Sequence, residues 1–229
     1  RKLVAADTIS AANHAFGTTR MSKLPKDGVV DAWDLIGGEG EGSVKELLAS
    51  GRIDEVKAAA EAEQGEICGV ANDNAPGQVV VAGTTAAVAA LAAQAKAHQA
   101  KVLPLPVSVP SHCALMHPAA EALAAMLEKT AFADARMPVV QNVDAQPSRD
   151  ASVLRQGLID QLTQPVRWTQ TLEQLARQGI QQLVECGPGN VLSNLAKRLP
   201  EPLPCHPIDT RSRLDDALAA VLMAEGKLA

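Results

Sequence analysis

Residues 104–113 read Pro104-Leu105-Pro106-Val107-Ser108-Val109-Pro110-Ser111-His112-Cys113. The prolines hold this run extended, because each fixes φ and removes a backbone donor. The residues after it, Ala114-Leu115-Met116 and then an alanine- and leucine-rich stretch, are strong helix formers. His112 therefore stands where an extended segment gives way to a helix. A rigid scaffold can fix an imidazole there while the loop exposes it. Two uses fit the position: a surface or capping histidine, and a general base.

Upstream of this junction the pattern is regular. Asp54 can cap a helix over 54–63, residues 66–71 read as a strand, and 72–77 (Asn-Asp-Asn-Ala-Pro-Gly) are turn chemistry. A β-branched strand follows over 78–82, then an alanine-rich helix over 84–99 and a strand over 101–107. The order α-β-β-α-β is that of a ferredoxin-like half-sandwich lacking only its first strand.

Downstream, His117-Pro118 opens a helix to about residue 130, with Pro118 suited to a first turn. Residues 138–143 read as a short strand. A helix over 150–163 carries Leu154, Leu158 and Leu162 as one apolar stripe. Another helix spans 168–178 and ends at Gly179, a strand spans 181–186, and helices follow over 191–199 and 214–224. Strands alternating with helices predict a mainly parallel sheet covered on both faces.

Residues 1–36 show no sustained period; 5–12 and 31–36 read at most as short helical turns. Gly37-Gly38-Glu39-Gly40-Glu41-Gly42-Ser43 lacks the Gly-Lys-Ser/Thr ending of a phosphate loop, and its glutamates would repel phosphate. It reads as a flexible linker. Ser43-Val44-Lys45-Glu46 has capping-box spacing for a helix to about residue 49.

Composition bounds the function. The 229 residues are 47% apolar and 21% charged, with net charge -5. That profile suits a soluble globular protein and gives a nucleic acid nothing to bind. An acidic partner would need a local cluster of basic residues. The four cysteines, Cys68, Cys113, Cys186 and Cys205, show no metal-type spacing, which favours reduced thiols in a cytoplasmic protein without a zinc site. No run is long and apolar enough to span a membrane, and Arg1-Lys2 is not followed by a signal-type core. A chain that opens on Arg1 fits a fragment or a processed product.

Five segments, in order, resemble the malonyl-CoA:acyl-carrier-protein transacylase family of fatty acid synthesis. They are Asn72-Asp73-Asn74 with Pro76-Gly77-Gln78-Val79-Val80, the run from Pro104 to Met116, residues 139–144, residues 161–169, and Gly187-Pro188-Gly189-Asn190-Val191-Leu192. The resemblance covers residues 54–225. It implies an α/β protein with a ferredoxin-like small subdomain at 51–107 and part of a hydrolase-like, parallel-sheet large subdomain at 108–229. Residues 1–50 remain unassigned.

In that family a serine on a G-H-S-x-G elbow attacks the acyl thioester and a histidine shuttles its proton, with a backbone carbonyl orienting the ring. The resemblance makes His112 the base and Gln161 the residue whose main-chain oxygen orients it. It places Asn72, Asn74 and Lys101 at the coenzyme A entrance, Lys101 as a point charge for phosphate. From the residues alone, Gln161 is a polar position near a helix end, the asparagines are turn residues and Lys101 is a solvated lysine. The implied substrate is malonyl-CoA, the partner an acyl carrier protein, and no cofactor or metal is expected.

The sequence also departs from the family. It contains no G-x-S-x-G, no G-Q-G-S-Q and no match to the arginine helix that holds the malonyl carboxylate. Cys113 is a poor substitute nucleophile, since adjacent side chains diverge. Loss of an oxyanion donor alone costs on the order of 100-fold in rate. The chain by itself is therefore expected to be inactive. A non-catalytic carrier- or coenzyme-A-binding module, or a half-enzyme completed by a separate nucleophile-bearing chain, are the rival readings.

Overall fold

The computed structural model describes residues 30–36, 68–97, 100–105 and 109–224. The expected helices at 5–12, 43–49 and 54–63 and the glycine-rich linker lie outside them.

A five-stranded sheet organises the first half, in the order β4-β1-β3-β2-β7. Its strands are β1 (Val30–Ile36), β2 (Cys68–Ala75), β3 (Gln78–Thr84), β4 (Lys101–Pro104) and the short β7 (Val166–Arg167). The run β4-β1-β3-β2 is antiparallel throughout and has the ferredoxin-like order. Its first strand, absent from the sequence-based reading, is supplied by residues 30–36, which are not a helical turn. β1 pairs on both edges, from Val30↔Thr84 to Ile36↔Gln78 against β3 and from Trp33↔Pro104 to Ile36↔Lys101 against β4. Such pairing overrides weak local periodicity.

The turn between β2 and β3 is tighter than expected. β2 runs through Asn72, Asp73 and Asn74 to Ala75, with bulges between Val70 and Asn72 and between Asp73 and Ala75. Only Pro76 and Gly77 remain to reverse the chain, and Gly77 has φ +76°. Proline followed by a positive-φ glycine suits a type II turn.

Residues 79–83 of β3 are all buried because both faces of the sheet are covered. On one face, Cys68, Val70, Val79 and Val81 meet Val88, Ala95 and the half-buried Leu91 of helix α1 (Thr85–Ala97). Thr84 Oγ1 accepts from the Ala87 N–H at 3.4 Å and so caps that helix. On the other face, Ala71, Val80 and Ala82 meet Leu105, Cys113 and Leu115. The segment carrying His112 is thereby clamped to the sheet.

After a 3₁₀ turn at Ala114–Met116 come helix α2 (His117–Leu127), strands β5 (Val139–Val140) and β6 (Pro147–Ser148), and helix α3 (Ala151–Asp160). Asp150 caps α3, accepting from Ser152 N at 2.8 Å and Val153 N at 3.0 Å. The predicted stripe Leu154, Leu158 and Leu162 is half-buried rather than buried. Helix α4 (Trp168–Arg177), β8 (Leu183–Glu185), α5 (Val191–Ala196), β9 (Cys205–Pro207) and α6 (Arg211–Ala224) complete the described chain. A third apolar cluster joins Val166, Trp168, Leu172, Leu175, Leu183, Leu192, Ala196 and Leu199. The class is α/β, but among the described residues parallel pairing is confined to β8–β9 and to the β2–β7 junction.

Gly157 marks a close approach within the second half. A Cβ there would fall on the Gln141 carboxamide, which is buried and donates from Nε2 to Leu154 O at 2.9 Å. Alanine would gain about 1 kcal/mol of helix propensity but incur about 1–3 kcal/mol of overpacking. Gly157→Ala is therefore expected to lower the unfolding free energy, by about 1 kcal/mol, in a denaturant titration.

Candidate active site

The site begins at the C-terminal end of α3. Its last carbonyls have no helical N–H to accept from. The chain tightens there into i→i−3 bonds, Leu162 N to Ile159 O at 3.2 Å and Thr163 N to Asp160 O at 3.0 Å. This leaves the Gln161 and Leu162 carbonyls facing His112. The His112 N–H donates to Leu162 O at 3.1 Å, and its ring Nδ1 lies 2.6 Å from Gln161 O. A carbonyl can only accept, so Nδ1 carries the hydrogen and Nε2 is the basic nitrogen of the neutral ring.

His112 has φ +63°, a left-handed backbone that costs a non-glycine residue about 1–2 kcal/mol. Strain of this kind persists only where the surroundings hold it, and it concentrates at functional sites. Here the two bonds to the end of α3 hold one side. The buried Cys113, whose Sγ donates to Pro110 O at 3.2 Å, anchors the other. The residue is 6% exposed, so it is neither a surface histidine nor a solvated cap. Burial lowers its pKa, opposed by the main chain of Gln161 and Gln164. The imidazole is thus kept neutral and basic near neutral pH.

The two neighbouring thiols are poor nucleophiles. Burial pushes Cys68 up to about 11, with Cys113 adding to the rise, and burial raises Cys113 as well. The thiolate is disfavoured at both. Among the described residues no group of three or more His, Cys, Asp or Glu side chains could hold a metal ion.

Gln161 meets His112 through its main chain. Asn72 and Asn74 do not sit in a turn. Asn72 is 8% exposed within β2, paired with Val80 on one side and Val166 on the other, and half-buried Asn74 falls in a bulge. Lys101 is exposed at the start of β4. The cross-sheet row Lys101, Ile36, Gln78, Ala75 puts it at the same end of the sheet as the asparagines. Three strand spacings still separate β4 from β2, about 14 Å. Lys101 is therefore not brought against Asn72 or Asn74.

Two carboxyl groups, one half-buried and one buried, escaped the sequence reading. Asp73 Oδ1 accepts from Thr169 Oγ1 at 2.8 Å, tying β2 to the first turn of α4. Burial raises the Asp73 pKa; Thr169 and Arg167 pull it down and Glu173 pushes it up. Glu185, 2% exposed, accepts from Leu192 N at 2.9 Å, Ser193 N at 2.8 Å and Ser193 Oγ at 2.6 Å. It thus satisfies the orphan donors at the start of α5 from the adjoining strand. Asp209 holds the intervening loop, accepting from Gly189 N at 3.1 Å. A charge inside a predicted buried strand, eight residues before a serine, was the available signal for Glu185.

Two outcomes follow for His112. Its ordinary pKa is 6.5 and its folded value is lower, so between them the unfolded chain binds more protons. Stability is therefore expected to fall as pH drops below about 6.5, and the ring resonances followed by NMR should titrate below that value. Glycine relieves the left-handed strain that alanine keeps, against a larger loss of chain entropy. His112→Gly should thus be more stable than His112→Ala by roughly 0.5–1 kcal/mol in denaturant titration.

Comparison with known proteins places this geometry. Residues 41–201 match the family model described as "Acyl transferase domain". The chain is 44% identical over 181 residues to the malonyl CoA-acyl carrier protein transacylase of Salmonella typhimurium, covering 79% of this chain and 59% of that protein. It is 40% identical over 138 residues to the Bacillus subtilis protein of the same name, covering 60% of this chain and 44% of that one. It thus spans about three-fifths, or less, of the length of these curated relatives. The crystal structure of FabD from Acinetobacter baumannii superposes with a TM-score of 0.77 at 45% identity, over 88% of this chain and 60% of that one. A malonyl-transacylase in complex with its type II PKS acyl-carrier protein gives 0.75 at 41% identity, over 86% and 60%. With the family model covering most of its length and the histidine loop and ferredoxin-like sheet standing in one fold, this chain belongs to the acyl transferase domain family.

Proposed function

We propose that this chain supplies the general-base part of an acyltransferase that moves malonyl from malonyl-CoA to the phosphopantetheine thiol of an acyl carrier protein. The observation that carries the reading is the 2.6 Å contact of His112 Nδ1 with Gln161 O, which leaves Nε2 as the base. No carboxylate is needed to orient such a ring, because the carbonyl at the end of α3 does so.

In the proposed cycle, Nε2 removes the proton of a serine hydroxyl as its oxygen attacks the malonyl thioester carbonyl. The C–S bond breaks, the proton passes from His112 to the departing coenzyme A thiolate, and a malonyl ester remains on the serine. His112 then takes the proton of the phosphopantetheine thiol, whose sulfur attacks that ester. Cleavage of the C–O bond returns the proton to the serine oxygen. The depressed pKa of His112 keeps Nε2 free to accept a proton at neutral pH. The serine belongs to a G-x-S-x-G elbow, which residues 1–229 do not contain. Asn72, Asn74 and Lys101 would line the coenzyme A entrance. The division of the chain at residues 50/51 and 107/108 would move so that the small subdomain includes β1.

A second reading is a non-catalytic module that binds the carrier or coenzyme A. Basic residues at one end of the sheet suit an acidic carrier: Lys101 lies in the row of Gln78, Arg198 contacts Gln78, and Arg167 pairs with Asp73. Among the described residues no helix is long and apolar enough to cross a membrane.

Intact-mass analysis after mixing with malonyl-CoA separates the readings. The chain alone should gain no mass. With a G-x-S-x-G-bearing polypeptide supplied, one malonyl group should be retained on that serine, and His112→Ala should slow its appearance 100-fold or more. Malonylation of the chain alone would overturn the proposal by exposing a nucleophile within residues 1–229.

A further inference from the structure

Gly157 stands inside α3, a position where only proline is less favourable than glycine. Its missing side chain is put to use. The Gln141 carboxamide occupies the space a side chain would fill: an added Cβ would stand 2.6 Å from Gln141 Cδ and 2.8 Å from its Nε2. Gln141 is 7% exposed, and its Nε2 donates to Leu154 O at 2.9 Å. One buried side chain therefore grips α3 at two residues three apart, which share a helix face.

Gln141 is itself held in place. It follows β5, whose register against β6 is Val139↔Ser148 and Val140↔Pro147. Its carbonyl accepts from Ala145 N at 3.1 Å, closing a tight loop in which the buried Ala145 has φ +56°. Ala145 and His112 are the two positive-φ residues other than glycine among the described residues. A left-handed alanine persists only where its surroundings impose it, so this loop is a fixed support.

From Gly157 the path to the base is two hydrogen bonds long. Gly157 O accepts from Gln161 N at 3.0 Å, and Gln161 O meets His112 Nδ1 at 2.6 Å. Leu154, Gly157 and Gln161 follow one another at three- and four-residue spacing along one face of the helix. Packed helices pass a displacement on rather than absorbing it. Hydrogen bonds weaken steeply with misalignment, so the ring responds to where that carbonyl stands. The other end of α3 is fixed separately, by the Asp150 cap and by Ala151 N donating to Asp134 Oδ1 at 3.0 Å.

We propose that Gln141 is a positioning residue for the general base: its carboxamide, seated on Gly157, sets where α3 ends and thereby the orientation and tautomer of the His112 ring. The catalytic consequence rests on the acyl-transfer reading; the ring geometry does not.

The test reads the ring first, in the free full-length chain and without substrate. NMR shifts of the ring nitrogens, taken with the imidazole neutral, should show the Nδ1–H tautomer of His112. Gly157→Ala should lower the ratio of Nδ1–H to Nε2–H tautomer about tenfold or more, because the displaced helix end withdraws its acceptor. Asparagine is shorter than glutamine by one carbon–carbon bond, about 1.5 Å, and so leaves room for an alanine Cβ. Gly157→Ala combined with Gln141→Asn should therefore restore the ratio. Asp150→Ala, which weakens α3 by removing its cap, should leave the ratio unchanged. With the G-x-S-x-G-bearing polypeptide supplied, Gly157→Ala should slow malonyl transfer at saturating malonyl-CoA about tenfold and leave the half-saturating concentration unchanged, with recovery in the double variant. The proposal is overturned if Gly157→Ala keeps the tautomer ratio, if the double variant fails to restore it, or if Asp150→Ala lowers it as much. A displaced ring with an unchanged transfer rate overturns it too. Absence of transfer by the unsubstituted pair would sink the acyl-transfer reading, while the tautomer ratios would still decide whether Gln141 positions the ring.

Discussion

The pair of bonds from His112 to the end of α3 is the constraint on which the site depends. A helix terminus always leaves carbonyls unpaired, and here two of them are answered by one residue, through its backbone N–H and its ring. The first bond holds the backbone at φ +63°; the second sets the tautomer. Without the three-ten turn over residues 161–163, Gln161 O and Leu162 O would be consumed within a longer helix. The early end of α3 is therefore a requirement of the site.

The same loop is held from the opposite side by the five-stranded sheet. One face of β2 and β3 is covered by α1, and the other by Leu105, Cys113 and Leu115. Cys113 thus serves as a small buried anchor whose raised pKa makes it inert. Burial does two things at once: it fixes the ring and it depresses the imidazole pKa. The neutral state of the ring and the position of the loop are consequences of one packing arrangement.

Buried and half-buried polar groups do the joining elsewhere. Asp73 with Thr169 ties the small sheet to α4, and Glu185 ties β8 to α5 through three donors. These are satisfied groups, in contrast to Asn142, Trp168 and Thr171, whose unpaired atoms gather beside a two-stranded parallel sheet. The first half of the described fold is closed around its sheet. Among the described residues of the second half, β8 pairs only with β9, and buried polar atoms of Asn142, Trp168 and Thr171 have no partner.

Much of this was legible in the residues. The extended-to-helical switch at His112, the proline-glycine turn before β3, the alanine-rich α1 and the strand-strand-helix-strand run from Cys68 to Pro104 are local, and local propensity announces them. The resemblance singled out His112 and Gln161, and the structure brings the two into contact. What only the tertiary structure decided was non-local. Residues 30–36 become a strand because β3 and β4 offer two edges, against a weak internal period. Asn72 and Asn74 enter β2 because pairing with β3 and β7 outweighs their turn preference. Lys101 lies three strand spacings from them because β1 and β3 stand between β4 and β2. The role of Asp73 depends on a donor 96 residues away, which no window along the chain contains, whereas the donors to Glu185 lie only 7–8 residues on and become its partners through the fold of the loop between β8 and α5.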